Sequence, residues 1–120
     1  MKFDLTCEKR FENTKEKIRE IFSTPFILQC YSVNNLSLYN EIFMRDEIKE
    51  LMSNSDIRKT AELFLDNDLN LTQASKNAFM HRNTMIYRIE KIEHITGLNI
   101  KKFEDAVIFA NMLEVYKKFS

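Results

Sequence analysis

The period of the apolar positions changes several times along the chain, and each change marks an element. At the start Phe3, Leu5 and Cys7 alternate with Asp4, Thr6 and Glu8, the two-residue period of a strand with one buried face. Ile18, Ile21 and Phe22 then form a narrow stripe on a charged segment that Asn13 or Thr14 can cap and that ends before Pro25, which predicts a helix. FILQCY, residues 26–31, is a short apolar run rich in strand formers. Together these predict a β-α-β element of minimal length, with parallel strands if the helix crosses over in the usual right-handed way. Three helical segments follow at 36–43, 48–52 and 57–65, with Asp46 and the run Ser53-Asn54-Ser55-Asp56 as caps between them.

The pattern is sharpest between Asn70 and Gly97. Asn70 and Gln73 have the spacing of a capping box, with Leu69 and Ala74 placed as a hydrophobic staple, so a helix starts near Leu71. Its inward positions are Leu71, Ala74, Ser75 and Ala78, and the small side chains at 74, 75 and 78 let a second helix cross at short range. Phe79 and Met80 are expected to supply apolar bulk at the corner. Met85, Ile89, Ile92 and Ile95 continue as a buried stripe on the second helix. Its other face carries Arg82, Asn83, Tyr87, Glu90, Lys91 and, obliquely, Arg88, with Thr84 near the start. Gly97, the single glycine of the chain, is placed to close that helix in a left-handed conformation. A last helix from about 102 to 119, with Phe103, Val107, Ala110, Leu113 and Tyr116 on one face, is expected to pack against the motif. Two short helices joined by a tight turn, the second opening on His81, Arg82, Asn83 and Thr84, make a helix-turn-helix suited to a DNA groove.

The same residues resemble a known family. HRNTMIYRIEKIEHITGLNI, residues 81–100, is similar to the C-terminal helix-turn-helix domain of PucR-type bacterial transcriptional regulators, which include the carbohydrate diacid regulators. The resemblance rests on HRNT, on the pair Tyr87 and Arg88, and on the Thr96-Gly97 stop at fixed spacings. With Thr60 and the AVIFANML segment it covers roughly residues 57–116. Two positions depart from the family pattern: Ile86 stands where a basic residue is usual, and Ser75 where alanine is common.

The resemblance implies a mainly α chain with a Fis-like C-terminal helix-turn-helix, preceded here by the β-α-β element. It implies sequence-specific binding to double-stranded DNA as a homodimer and control of transcription. Arg82 and Asn83 would read base edges, Arg88 and Lys91 would hold phosphate, and Asn70 and Thr72 would anchor the backbone through side chains and exposed N–H groups. His81 would contact phosphate or cap its helix, and Thr84 and Tyr87 complete the set. It also implies that the residues before the motif close a larger sensor domain, with SVNNLSLYNEIF as the closing segment. Residues 1–55 are thus expected to be a sensor remnant and dimerisation region, and residues 56–120 the DNA-binding domain. No small-molecule effector is specified.

Composition narrows this further. At 120 residues and 44% hydrophobic content the chain can bury one modest core. No run reaches the length of a membrane span, and MKFDLTCEKRF lacks the basic-then-apolar pattern of a signal peptide. A cytoplasmic protein with no membrane contact and reduced thiols at Cys7 and Cys30 is therefore expected. The formal net charge is zero, which at first disfavours a polyanionic partner. Its distribution reverses that inference. Residues 72–102 carry six basic side chains against two acidic ones, a balance of +4, whereas residues 1–71 carry −3 and the last eighteen −1. A charge of +4 is weak for a DNA binder, so a dimer is expected.

The open strand edges within residues 1–31 are the expected interface, or failing them the last helix around Phe109, Leu113 and Tyr116. Deletion of residues 1–32 is expected to give monomers in which the helix-turn-helix stays folded. His81 and His94 lie thirteen residues apart without nearby cysteine or aspartate pairs, and no glycine-rich phosphate loop occurs, so no metal, cofactor or enzymatic role is expected. His94 suits the negative end of its helix. The competing class is a truncated protein-interaction module that dimerises with or modulates a full-length regulator. Salt-dependent binding to duplex DNA separates the two.

Overall fold

The computed structural model describes residues 14–23 and 39–119. Both expected strands, at 3–8 and 26–31, and both cysteines lie outside the described residues. Within them there is no strand, and seven helical segments succeed one another. We label these α1 (14–22), α2 (39–43), α3 (Asp46–Ser53), α4 (Ser55–Asp66), α5 (Leu71–Asn77), α6 (Arg82–Thr96) and α7 (Phe103–Phe119). The α-helical part of the expected fold is thus observed. None of the described helices is long and apolar enough to cross a membrane.

The punctuation between helices follows side-chain chemistry. Asn54 caps α4, its side chain accepting from the backbone N–H groups of Asp56 and Ile57 at 3.0 and 3.3 Å. Asp46 does not cap α3 as expected. It lies inside the first turn beside Glu47, after an extended Arg45, where the helix dipole favours negative charge.

At the end of α4 the N–H of Leu69 bonds the carbonyl of Phe64 at 3.0 Å, and the N–H of Asp68 that of Leu65 at 3.2 Å. Asp68 and Leu69 have φ of 56° and 61°, so a Schellman-type stop forms without glycine.

One hydrophobic cluster runs through the described residues. Ile57, Ala61 and Phe64 of α4 meet Ala74 of α5 and Met85, Ile89 and Ile92 of α6, and Ile18, Phe22, Tyr39 and Ile42 belong to the same cluster. The Phe22 ring stacks on Tyr39 at 5.7 Å and meets Phe43 at 5.8 Å, and Phe43 meets Tyr116 edge-on at 5.5 Å. Described residues on both sides of position 55 thus share this cluster.

The rotation of α7 corrects the sequence reading. Phe103 and Val107 are 75% and 42% exposed, whereas Leu113 is buried as expected, together with Ala106, Ile108, Phe109, Met112 and Val115. Apolar residues occur on most sides of this helix, so periodicity left its orientation open. A polar contact fixes it. Arg19 of α1 donates to Asp105 through Nη1 at 2.7 Å and Nη2 at 3.3 Å, and its Nη2 also reaches the Gly97 carbonyl at 3.1 Å. The N–H of Asn99 donates to the same carboxylate at 2.9 Å, and Asn111 Nδ2 donates to the Phe22 carbonyl at 2.8 Å. Asp105 is thereby turned inward, and Phe109 and Leu113 follow it into the core. Their burial also removes them as the fallback dimer surface.

The Arg19 guanidinium holds the Asp105 carboxyl below the ordinary carboxylate range, against the opposing effect of burial and helped by the Asn99 N–H. A group whose folded-state pKa is depressed stabilises the fold above its unfolded pKa, and that stabilisation is lost as pH falls through the folded value. Denaturant titrations of wild type and Asp105→Asn should therefore differ at neutral pH and converge as pH falls through the lowered Asp105 pKa. A gap independent of pH would mean that the ion pair contributes nothing.

Candidate nucleic-acid interface

Helices α5 and α6 and the turn between them form the site. The side chain of Asn70 accepts from the Gln73 N–H at 2.9 Å, capping α5 as expected. The reciprocal half of the capping box is absent, because the Gln73 amide donates to Asn77 Oδ1 at 3.3 Å instead. Ala74 and Ser75 are buried at the crossing, and the Ser75 hydroxyl donates to the Leu71 carbonyl. Asn70, Thr72 and Lys76 are exposed.

The N–H of Met80 bonds the Ser75 carbonyl at 3.0 Å, and the N–H of Phe79 that of Lys76 at 3.1 Å. This closes α5 with a second Schellman-type stop, in which Phe79 takes φ 51°. Met80 is half-buried at the corner, but Phe79 is 99% exposed. Only one of the two expected corner residues therefore packs. The left-handed backbone at 79 directs its side chain away from the core.

Helix α6 begins after His81, which is extended and makes no side-chain capping bond. Of its two expected roles, capping is therefore not the one observed. Met85, Ile89, Ile92 and Thr96 form the buried face, and His81, Arg82, Asn83, Tyr87 and Glu90 are exposed. Tyr87 is 63% exposed, and Thr84 and Lys91 are half-buried. The first turn contains no acidic residue, so the positive end of the helix dipole is not neutralised locally.

Arg88 is half-buried, and its guanidinium is engaged within the fold. Its Nη1 donates to Thr60 Oγ1 at 3.0 Å and approaches Met80 Sδ at 3.8 Å. Thr60, fully buried, donates in turn to the Asp56 carbonyl at 2.7 Å. Arg88 thus braces α6 against α4. An open cleft of about 420 Å³ lies at the corner, lined by Thr72, Ser75, Lys76, Phe79, Met80, His81 and Arg82. Ser75, Lys76, Phe79 and Met80 are the members that sequence reasoning did not assign to the site, and of these Lys76 and Phe79 are exposed. The signal for Lys76 was its place in the last turn before the corner, and for Phe79 there was none, because its φ could not be read from its identity. Among the described residues no group of three or more His, Cys, Asp or Glu side chains could hold a metal ion.

The far end of α6 is set by Gly97, with φ 78° and its N–H on the Glu93 carbonyl at 2.8 Å. Thr96 Oγ1 donates to the Ile92 carbonyl at 2.6 Å and accepts from the Leu98 N–H at 3.1 Å. A Cβ at position 97 would lie 3.2 to 3.3 Å from side-chain carbons of Lys15. Gly97→Ala should therefore lower stability by about 1 kcal/mol or more through backbone strain and this contact. An unchanged melting temperature would mean that the turn at 97 relaxes without cost.

Residues 57–115 match the family described as the PucR C-terminal helix-turn-helix domain. The uncharacterized protein YxkF of Bacillus subtilis is 32% identical over 105 residues, 87% of this chain and 34% of that protein. The purine catabolism regulatory protein of Bacillus subtilis is 25% identical over 77 residues, 64% of this chain and 14% of that protein. The carbohydrate diacid regulator of Escherichia coli is 29% identical over 68 residues, 57% of this chain and 18% of that protein. The chain thus spans about a third or less of the length of these relatives. No solved structure gives a significant match. The capped α5, the left-handed corner and the glycine-stopped α6 lie wholly inside the matched segment, and through residues 57–115 the chain belongs to the PucR C-terminal helix-turn-helix domain family.

Proposed function

We propose that this chain is a sequence-specific DNA-binding module of a bacterial transcription regulator, acting in the cytoplasm by placing the start of α6 in the major groove of duplex DNA. The observation that carries the proposal is the division of α6. One face is sealed into the core by Met85, Ile89 and Ile92, while His81, Arg82 and Asn83 stand exposed together at the positive end of the helix. Arg82 and Asn83 have the donor geometry to read purine edges. Lys91 and Lys76, with His81, supply phosphate contacts, while Asn70, Thr72, Thr84 and Tyr87 border the groove-facing surface. Arg88 serves by holding the helix on α4.

The chain binds as a homodimer in this proposal, because one local charge of +4 on residues 72–102 gives weak electrostatic affinity and two copies double it. The sequence of residues 1–31, with its two expected strands, offers edges for pairing with a second copy. Selection of bound duplexes from a random pool tests this directly. The expected product is a two-fold symmetric site with half-sites about one helical turn apart, and light scattering of the intact chain is expected to report a dimer. An asymmetric site bound by a monomer would remove the dimer. No enrichment at all would favour the protein-interaction reading.

A further inference from the structure

Folding does not account for the residue at position 79. The backbone there is left-handed, with φ 51°, at the stop of α5 where glycine or asparagine is usual because a Cβ is strained. The side chain recovers nothing by packing, since Phe79 is 99% exposed. A lone exposed apolar residue is ordinary. One held in a strained conformation, three residues before Arg82 and facing solvent beside Lys76 and His81, points to a function. The cleft these residues share has no acidic lining, so its charge suits a polyanion.

The geometry points to Phe79 as a specificity-determining residue that packs on the 5-methyl group of a thymine beside the base pairs read by α6. This rests on the DNA-binding proposal above and deepens it. The turn at 78–80 leads directly into the helix start that enters the major groove, so it is carried to the groove edge. There a duplex offers an apolar side chain one base-specific apolar group, the thymine methyl. The basic residues on either side supply attraction without choosing a base, and the ring supplies the choice.

The test uses the intact chain and the duplex recovered by selection. Each thymine is replaced in turn by deoxyuridine, which removes only the methyl. Dissociation constants are then measured for wild type, Phe79→Ala and Phe79→Gly. For wild type, replacement of the contacted thymine in a single half-site should weaken binding about fourfold, the worth of one buried methyl. Both variants should bind the thymine duplex more weakly than wild type and fail to distinguish it from the deoxyuridine duplex. Phe79→Gly should melt at or above the wild-type temperature, because it relieves the strain at φ 51°, and so separates lost contact from lost fold. The inference is overturned by full thymine preference in the variants, by a wild type indifferent to every replacement, or by a selected site without thymine. A wild type that binds no duplex overturns the DNA-binding proposal itself and this inference with it.

Discussion

Truncating Phe22 to alanine should lower the stability of the whole chain by about 3 to 5 kcal/mol, the cost of emptying a large aromatic site in a packed core. Phe22 is fully buried, stacks on Tyr39 and touches Phe43, and its carbonyl accepts from Asn111 of α7. It lies outside the family-matched segment at 57–115, yet it belongs to the same cluster as Phe64 and Ile92. Chemical denaturation monitored by helical circular dichroism gives the value. A loss under about 1 kcal/mol would mean that α1 does not share the core of the helix-turn-helix. The same packing changes the expected outcome of deleting residues 1–32, since that removes Ile18, Phe22 and the Arg19 contact with Asp105. Such a deletion should yield an unstable helix-turn-helix rather than a folded monomer.

Arg82→Ala should cost about 1 to 3 kcal/mol of affinity on the selected site and flatten discrimination at one or two base pairs. Arg82 is exposed in the first turn of a helix held rigidly from behind, so its loss should leave the melting temperature nearly unchanged. Arg88→Ala should behave oppositely. It removes the hydrogen bond to buried Thr60 and should destabilise the fold by about 1 to 2 kcal/mol without altering base preference. Equal losses on specific and random duplexes for Arg82→Ala would make it a phosphate contact. Altered base preference in Arg88→Ala would return that residue to the groove.

What was legible in the sequence is whatever depends on local chemistry. The Asn70 cap, the small residues at 74 and 75, the stripe of Met85, Ile89 and Ile92, and the stop at Gly97 all stand as read, because each is set by neighbours within a few residues. The elements that misled are set by distant ones. Phe103 and Val107 were expected to pack, but Arg19, 86 residues before Asp105, draws that carboxylate inward and leaves Phe103 and Val107 exposed. Arg88 lies on the oblique face of α6, and its contact with the hydroxyl of Thr60, 28 residues earlier, was beyond the reach of local pattern. Phe79 was expected to supply apolar bulk at the corner, and a positive φ at the helix stop turned its side chain outward.

The central claim is that a chain of zero formal charge binds duplex DNA through the +4 segment around α6. Equilibrium titration of the intact chain against its selected duplex, repeated across a salt series, tests it most directly. The logarithm of the association constant should fall linearly with the logarithm of salt, with a slope of about −0.9 per phosphate contacted, and Lys76→Ala or Lys91→Ala should each make that slope shallower by about one contact. Absence of binding at about 50 mM salt, or binding whose salt slope is the same in wild type and in both lysine variants, would contradict the assignment of this face to DNA.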